Sequence, residues 1–221
     1  MTDTPPDTAE TRKPEGFSTA RLEAFSDGVF AIAITLLVLD LHVPEPDTLH
    51  GRSLAAELVH QWPAYFAYLV SFLVIGIIWI NHHAMCALAG RVDRRTLFAN
   101  LFLLLTVSVI PYPTRMLAAY LTARHDDAST AAALYAATML AMGIAFSLLF
   151  LSFTRDARML HHPVPPQALR AALRRFGVGG LCYAATIALA YVSPIAMLAT
   201  HAALAVYYCF DQLAPARATK A

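Results

Sequence analysis

Charge is what this sequence has least of. Acidic and basic residues make up 14% of its 221 residues, against 58% hydrophobic, and the mean hydropathy is +0.54. Soluble domains carry more charge than that. A net charge of +1 leaves no basic surplus, so no nucleic-acid partner is expected. Cysteine is scarce as well. Cys86, Cys182 and Cys209 lie in or beside apolar segments, which excludes a disulfide framework. The chain has no GxxxxGK(S/T) loop, no GxGxxG, no GxSxG and no HExxH. Nucleotide-driven transport and the familiar enzyme chemistries are therefore not indicated, and neither enzymatic activity nor a cofactor is expected.

What the chain does have is a series of long apolar runs. The first, Arg21 to Val43, begins with a charged turn, continues through about twenty mostly apolar residues and ends before Pro44. That length spans a bilayer core at helical rise. Two features distinguish it from a plain anchor. The pattern Arg21-x3-Phe25-Ser26-Asp27 puts an acid inside the apolar boundary, where an unpaired charge is costly. One helical face carries Ile32, Thr35, Leu36 and Leu39 as a single stripe.

Before this run, the residues to Gly16 are polar and rich in Pro, Thr, Asp and Glu, a composition that predicts disorder. The run is too long for a signal peptide and lacks a small-residue cleavage site. A loop rich in proline and acids follows. Further spans are expected at about Trp62–Met85, Leu97–Leu117, Thr130–Phe153, Phe176–Val192 and Ile195–Phe210. Pro111 and Pro113 should kink or end the third. Ser129 reads as the cap of the fourth, and Ser193-Pro194 as a tight turn between the last two. The expected fold is all-α, with six transmembrane helices. Residues 1–19 form an N-terminal arm, 20–212 the membrane domain and 213–221 a short basic tail.

Basic residues set the orientation. Arg12, Lys13, Arg21, Arg91, Arg94, Arg95, Arg155, Arg158, Arg170, Arg174, Arg175, Arg217 and Lys220 fall on one side, and Arg52, Arg115 and Arg124 on the other. This bias places both termini in the cytoplasm. Ser26 and Asp27 then share one level with Trp79, Asn81 and His82 of the second span and Asn100 of the third. A hydrogen-bonded layer, with Arg21 beside it, is the affordable way to keep such groups in a membrane.

Each of these features also has a plainer reading. Asp27 could snorkel or pair with Arg21. The hydroxyl of Thr35 could bond its own helix backbone. The Ile/Leu stripe could simply pack against a neighbour or lipid. His82, His83 and Cys86 hint at a metal, but adjacent histidines diverge on a helix and no second cluster has ligand spacing.

Arg21-x3-Phe25-Ser26-Asp27, the alternating Ile/Ala run and a threonine eight residues after the acid resemble the transmembrane protein 175 family of potassium channels. Trp79-x2-His82 and the third span, with Asn100, Ser108 and Pro111-Tyr112-Pro113-Thr114, are also similar. The resemblance covers about Arg21 to Thr114. It implies six helices per repeat, the first lining a central pore, and a one-repeat bacterial form that assembles as a homotetramer. The dominance of arginine over lysine suits a bacterial source. By the same resemblance, Ile32, Leu36 and Leu39 correspond to the apolar constriction and Thr35 to the residue associated with potassium selectivity. The expected function is passive, potassium-selective conduction across the bacterial plasma membrane. Potassium and the lipid bilayer are the partners, and Asp40 near the outer mouth concentrates cations. A proton-coupled secondary transporter, or a scaffold without transport, is the alternative. A transporter should carry an ionisable residue and a broken helix near the midplane, and the midplane of the first run is apolar.

Overall fold

In the computed structural model, residues 17–46, 51, 53–156, 159–161 and 164–210 are described. The expected disordered arm up to Gly16 and the basic tail from position 213 lie outside them. Helix α1 spans Thr19–Leu36 and tightens into a 3-10 turn at Leu37–Asp40. A short helix, α2, covers Leu54–His60. Then come α3 (Trp62–Cys86), α4 (Arg94–Val109), α5 (Pro111–Tyr120), α6 (His125–Thr154), α7 (Pro166–Val192) and α8 (Pro194–Phe210). Five segments are long and apolar enough to cross a membrane: Thr19–Asp40, Trp62–Cys86, Arg94–Tyr120, His125–Thr154 and Pro166–Val192. Pro194–Phe210 is a shorter apolar helix.

Local chemistry explains most of the boundaries. Pro111 lacks the N–H that would continue the ladder of α4, so the third span divides at Ile110 into α4 and α5. The fourth span starts earlier than its composition suggested. Helix α6 begins at His125, and Asp126 and Asp127 occupy its first turn, where carboxylates favour the positive end of the helix dipole. Ser129 is therefore a buried residue within the helix and not its cap. Helix α7 begins ten residues before Phe176, at Pro166, which suits a first helical position.

The core runs along the centre of the bundle. Leu37, Ile75, Leu103, Ile110, Met139, Leu149 and Met197 are fully buried there. A second polar group lies within it. The Tyr135 hydroxyl donates to Ser71 Oγ over 3.1 Å, Ser71 donates to Thr114 Oγ1 over 2.8 Å, and Thr114 donates to the Ile110 carbonyl over 2.8 Å. This order satisfies all three hydroxyls across α3, α5 and α6, so the buried oxygens cost little.

Three connections meet at one end of the bundle. Phe17–Ser18 (β1) pairs antiparallel with Arg91–Val92 (β2), with Phe17 opposite Val92. Thr19 Oγ1 donates to the Ala89 carbonyl over 2.9 Å. Ala89 forms a bridge with Leu160, Gly90 N–H reaches Met159 and His161 N–H reaches Leu88. A side chain at Gly90 would meet the His161 ring at 2.8 Å, so a larger residue there requires the imidazole to move aside.

Asp93 ends this junction as the cap of α4. Its Oδ1 accepts from Thr96 N–H and from Thr96 Oγ1, each over 2.8 Å. Burial pushes its carboxyl up, but the Thr96 donors and the Arg95 charge outweigh this and hold it below the usual carboxylate range. A pKa lowered in the folded state contributes stability above the unfolded pKa, and that stability is lost as pH falls through the folded value. Asp93→Ala should cost about 1 kcal/mol at neutral pH, with the gap to the parent narrowing on acidification. Thermal unfolding across a pH series measures both, and a pH-independent gap would refute the assignment.

Candidate functional site

Two faces of α1 do opposite things. Leu22, Ser26, Phe30, Ala33 and Leu37 are buried against the bundle. Ile32 is 61% exposed, Leu36 42% and Leu39 74%. Gly28, Ala31 and Thr35 are exposed with them. At about 100° per residue, these positions fall within an arc of about 140°. Among the described residues, the stripe is left largely uncovered.

A buried polar chain fixes which face points outward. Ser26 donates to the Leu22 carbonyl over 2.8 Å and accepts from Asn100 Nδ2 over 3.0 Å. Asn100 Oδ1 is then the acceptor facing His82 Nε2 at 2.8 Å, so the imidazole carries its proton on Nε2. The free Nδ1 lies 3.7 Å from Cys86 Sγ, close enough for the thiol to donate weakly. Phe30 covers the His82 ring, with centroids 5.5 Å apart. Ser26, His82 and Asn100 are 0–2% exposed, and together they tie α1, α3 and α4 to each other.

The other residues of the expected layer are placed differently. Asp27 accepts from Trp79 Nε1 over 2.8 Å, outside the buried chain and at an exposed position. Glu23 pairs with His83 beside it. Neither His82 nor Asn100 bonds Asp27. Asn81 donates to the Ile77 carbonyl of its own helix. Arg21 is exposed on the first turn of α1, and no ion pair joins it to Asp27 among the described residues. Phe25 is 58% exposed and lies in line with the stripe, so it is no part of the layer. The layer thus consists of Ser26, Asn100 and His82, with an Asp27–Trp79 pair at its edge.

Two further expectations change. The Thr35 hydroxyl donates to the Ala31 and Ile32 carbonyls, over 2.9 and 3.0 Å. Its hydrogen is committed to the helix, and its remaining lone pairs face outward with the stripe. Asp40 folds back toward α5, where Arg115 Nε lies 3.8 Å from Oδ1, and its side chain is only 17% exposed. Its charge is countered within the chain and does not project freely at the end of α1. Among the described residues no group of three His, Cys, Asp or Glu stands together to hold a metal, so His82, His83 and Cys86 form no such cluster.

The chain is similar to known proteins over most of its length. The model of the family described as "Endosomal/lysosomal potassium channel TMEM175" matches residues 21–111. A potassium channel of Streptomyces collinus is 50% identical over 194 residues, covering 87% of this chain and 92% of the relative. A potassium channel of Chamaesiphon minutus is 37% identical over 88% of this chain and 95% of its own. The crystal structure of a lysosomal potassium-selective channel TMEM175 homolog from Chamaesiphon minutus superposes with a TM-score of 0.78 at 36% identity, covering 87% of this chain and 97% of that one. A multi-pass membrane protein with this helix order, this buried chain and these relatives belongs to the transmembrane protein 175 (TMEM175) family.

Proposed function

We propose that copies of this chain assemble as a homotetramer in the bacterial inner membrane, both termini cytoplasmic, and conduct potassium passively along the exposed stripe of α1. The observation that carries this reading is the division of α1 itself. A helix fastened on one side by Ser26 and Asn100 presents Ile32, Thr35, Leu36 and Leu39 on the other, largely exposed among the described residues. One chain supplies only one wall, so a pore needs several copies around an axis. The potassium channels among its relatives support the choice of ion.

Ile32, Leu36 and Leu39 act as apolar rings that close by excluding water. Thr35 lies between the first two. With its proton held by the backbone, the hydroxyl offers oxygen lone pairs that replace part of the ion's hydration shell. Potassium sheds water more readily than sodium, so weak neutral ligands favour it. The transporter alternative needs a broken helix at the midplane, whereas α1 is continuous from Thr19 to Leu36.

Purified protein in liposomes loaded with potassium should show flux without any proton gradient. Flux that requires a proton gradient would overturn the channel reading. Thr35→Val keeps the shape and removes the oxygen. It should shift the reversal potential toward sodium under potassium/sodium bi-ionic conditions, and an unshifted potential would remove Thr35 from the selectivity site.

A further inference from the structure

Away from the α1 stripe, α3, α6, α7 and α8 line a half-open cleft of about 80 Å³. It exists because side chains are missing. Gly143 of α6 and Gly179 and Gly180 of α7 line it, and a larger residue at the open Gly180 would fill it. Its walls are apolar, formed by Val74, Ile78, Phe146 and Phe176. Its polar lining residues are Asn81, Ser147, Tyr183, Arg175 and Tyr208. A second hollow continues past Arg174, Val178 and Tyr207, sharing Arg175 and Tyr208 with the first.

Charge indicates what fits. Helix α7 carries Arg170, Arg174 and Arg175 near its start and no acidic residue along its whole length. Arg174 is exposed. Asn81 lies near the end of α3 that leads into the arginine loop of positions 91–95, so the mouth opens at the arginine-rich end of the bundle. An apolar slot with arginines at its rim matches an amphiphile whose head is anionic and whose tail is hydrocarbon. Basic side chains at a membrane surface attract anionic lipid by about a factor of five each.

We propose that this cleft holds one anionic phospholipid of the surrounding bilayer. An acyl chain lies along Gly180, and the phosphate lies against Arg174 and Arg175. The Tyr208 hydroxyl bounds the site on the inner side, since a side chain at Gly179 would meet it at 2.5 Å. Gly180 differs. A Cβ there meets no protein atom within 4 Å, so a larger residue would occupy the lipid's space and not the protein's. The site does not depend on conduction, because none of its residues lies on α1.

Native mass spectrometry of the purified oligomer tests this, with phosphatidylglycerol, phosphatidylcholine or oleate added to detergent-solubilised protein. The parent should retain phosphatidylglycerol in preference to phosphatidylcholine. Gly180→Leu should elute as the same oligomer and retain at least about tenfold less, while Gly180→Ala should retain it. Arg174→Gln with Arg175→Gln should reduce the preference for phosphatidylglycerol by roughly 30-fold. This double change lies at the rim and reports even if the leucine variant fails to assemble. Equal retention of the two phospholipids by the parent overturns the proposal, as does undiminished retention by Gly180→Leu. Retention of oleate alone would make the ligand a free fatty acid and refute the phospholipid. An oligomer that binds no lipid but dissociates on Gly180→Leu would assign the cleft to a neighbouring copy, which also refutes it.

Discussion

Asn100→Leu should lower the melting temperature of the detergent-solubilised protein and the yield of assembled oligomer more than any other single change in the polar layer. Leucine is close to asparagine in size but offers neither of its two hydrogen bonds. His82 Nε2–H then points at a methyl group in a fully buried site. Ser26 keeps its bond to Leu22 and loses its tie to α4. An unsatisfied buried donor costs about 1–3 kcal/mol, and bonds of this kind between membrane helices sit toward the low end of that range. Changing both partners, His82→Leu with Asn100→Leu, removes the orphaned donor and should recover part of the loss. Asp27→Ala should be milder, because it breaks only an exposed bond with Trp79. Fluorescence-detected sizing with a temperature ramp compares all four proteins. An Asn100→Leu variant that melts like its parent, or an Asp27→Ala variant that is the worse of the two, would show that the chain does not anchor α1.

Ile32→Asn should raise conductance and weaken discrimination between cations. Asparagine keeps similar bulk and lets water wet the ring that the proposed pore depends on to exclude it. Ile32 is 61% exposed in its own chain, so the change removes no packing within the subunit. A cysteine at position 32 should react with small permeant thiol reagents from the aqueous side. A cysteine at Ile34, partly buried on another face, should not. If Ile32 faces lipid instead, asparagine there should leave single-channel conductance unaltered and reduce only the amount of protein. Single-channel recording separates these outcomes because it does not depend on expression.

The spans were legible because membrane burial requires long apolar runs, and Trp62–Cys86 follows its run almost residue for residue. Pro111 was legible for the same kind of reason, since a missing N–H acts locally. Helix α2 was not, because seven residues with no buried face leave no periodic signal. Its trace was the Ser53 side chain accepting from Ala56 N–H over 3.2 Å, with Glu57 in the first turn. A hydropathy window registers only the apolar part of α7 from Phe176, so its composition left open an earlier, interfacial start, and the helix takes it at Pro166. In the site, depth along the helices was readable but partner choice was not. Trp79, Asn81 and His82 share one level, yet at about 100° per residue Asn81 points about 160° from Trp79 and about 100° from His82, and of the three only His82 reaches Asn100. The Tyr135–Ser71–Thr114 chain joins residues distant in sequence, and its only advance sign was polar side chains within apolar runs.

The junction at Phe17–Ser18 makes α1 a lever held by backbone bonds at one end and by side-chain contacts at the other. Strand pairing and the Thr19 bond hold its start to the loop at Ala89–Val92, whereas its far end, a short 3-10 turn, is held by side-chain contacts, the burial of Leu37 and the approach of Arg115 to Asp40. At about 1.5 Å per residue, Leu39 lies roughly 30 Å from the backbone-bonded end and Phe25 roughly 9 Å. A tilt of a few degrees therefore displaces Leu39 about three times as far as Phe25. The stripe would open as a funnel, widest away from the arginine-rich end, and would close with little movement near Phe25. Spin labels at positions 25 and 39 in neighbouring copies would report this difference directly, and equal excursions at both would mean that α1 translates as a piston.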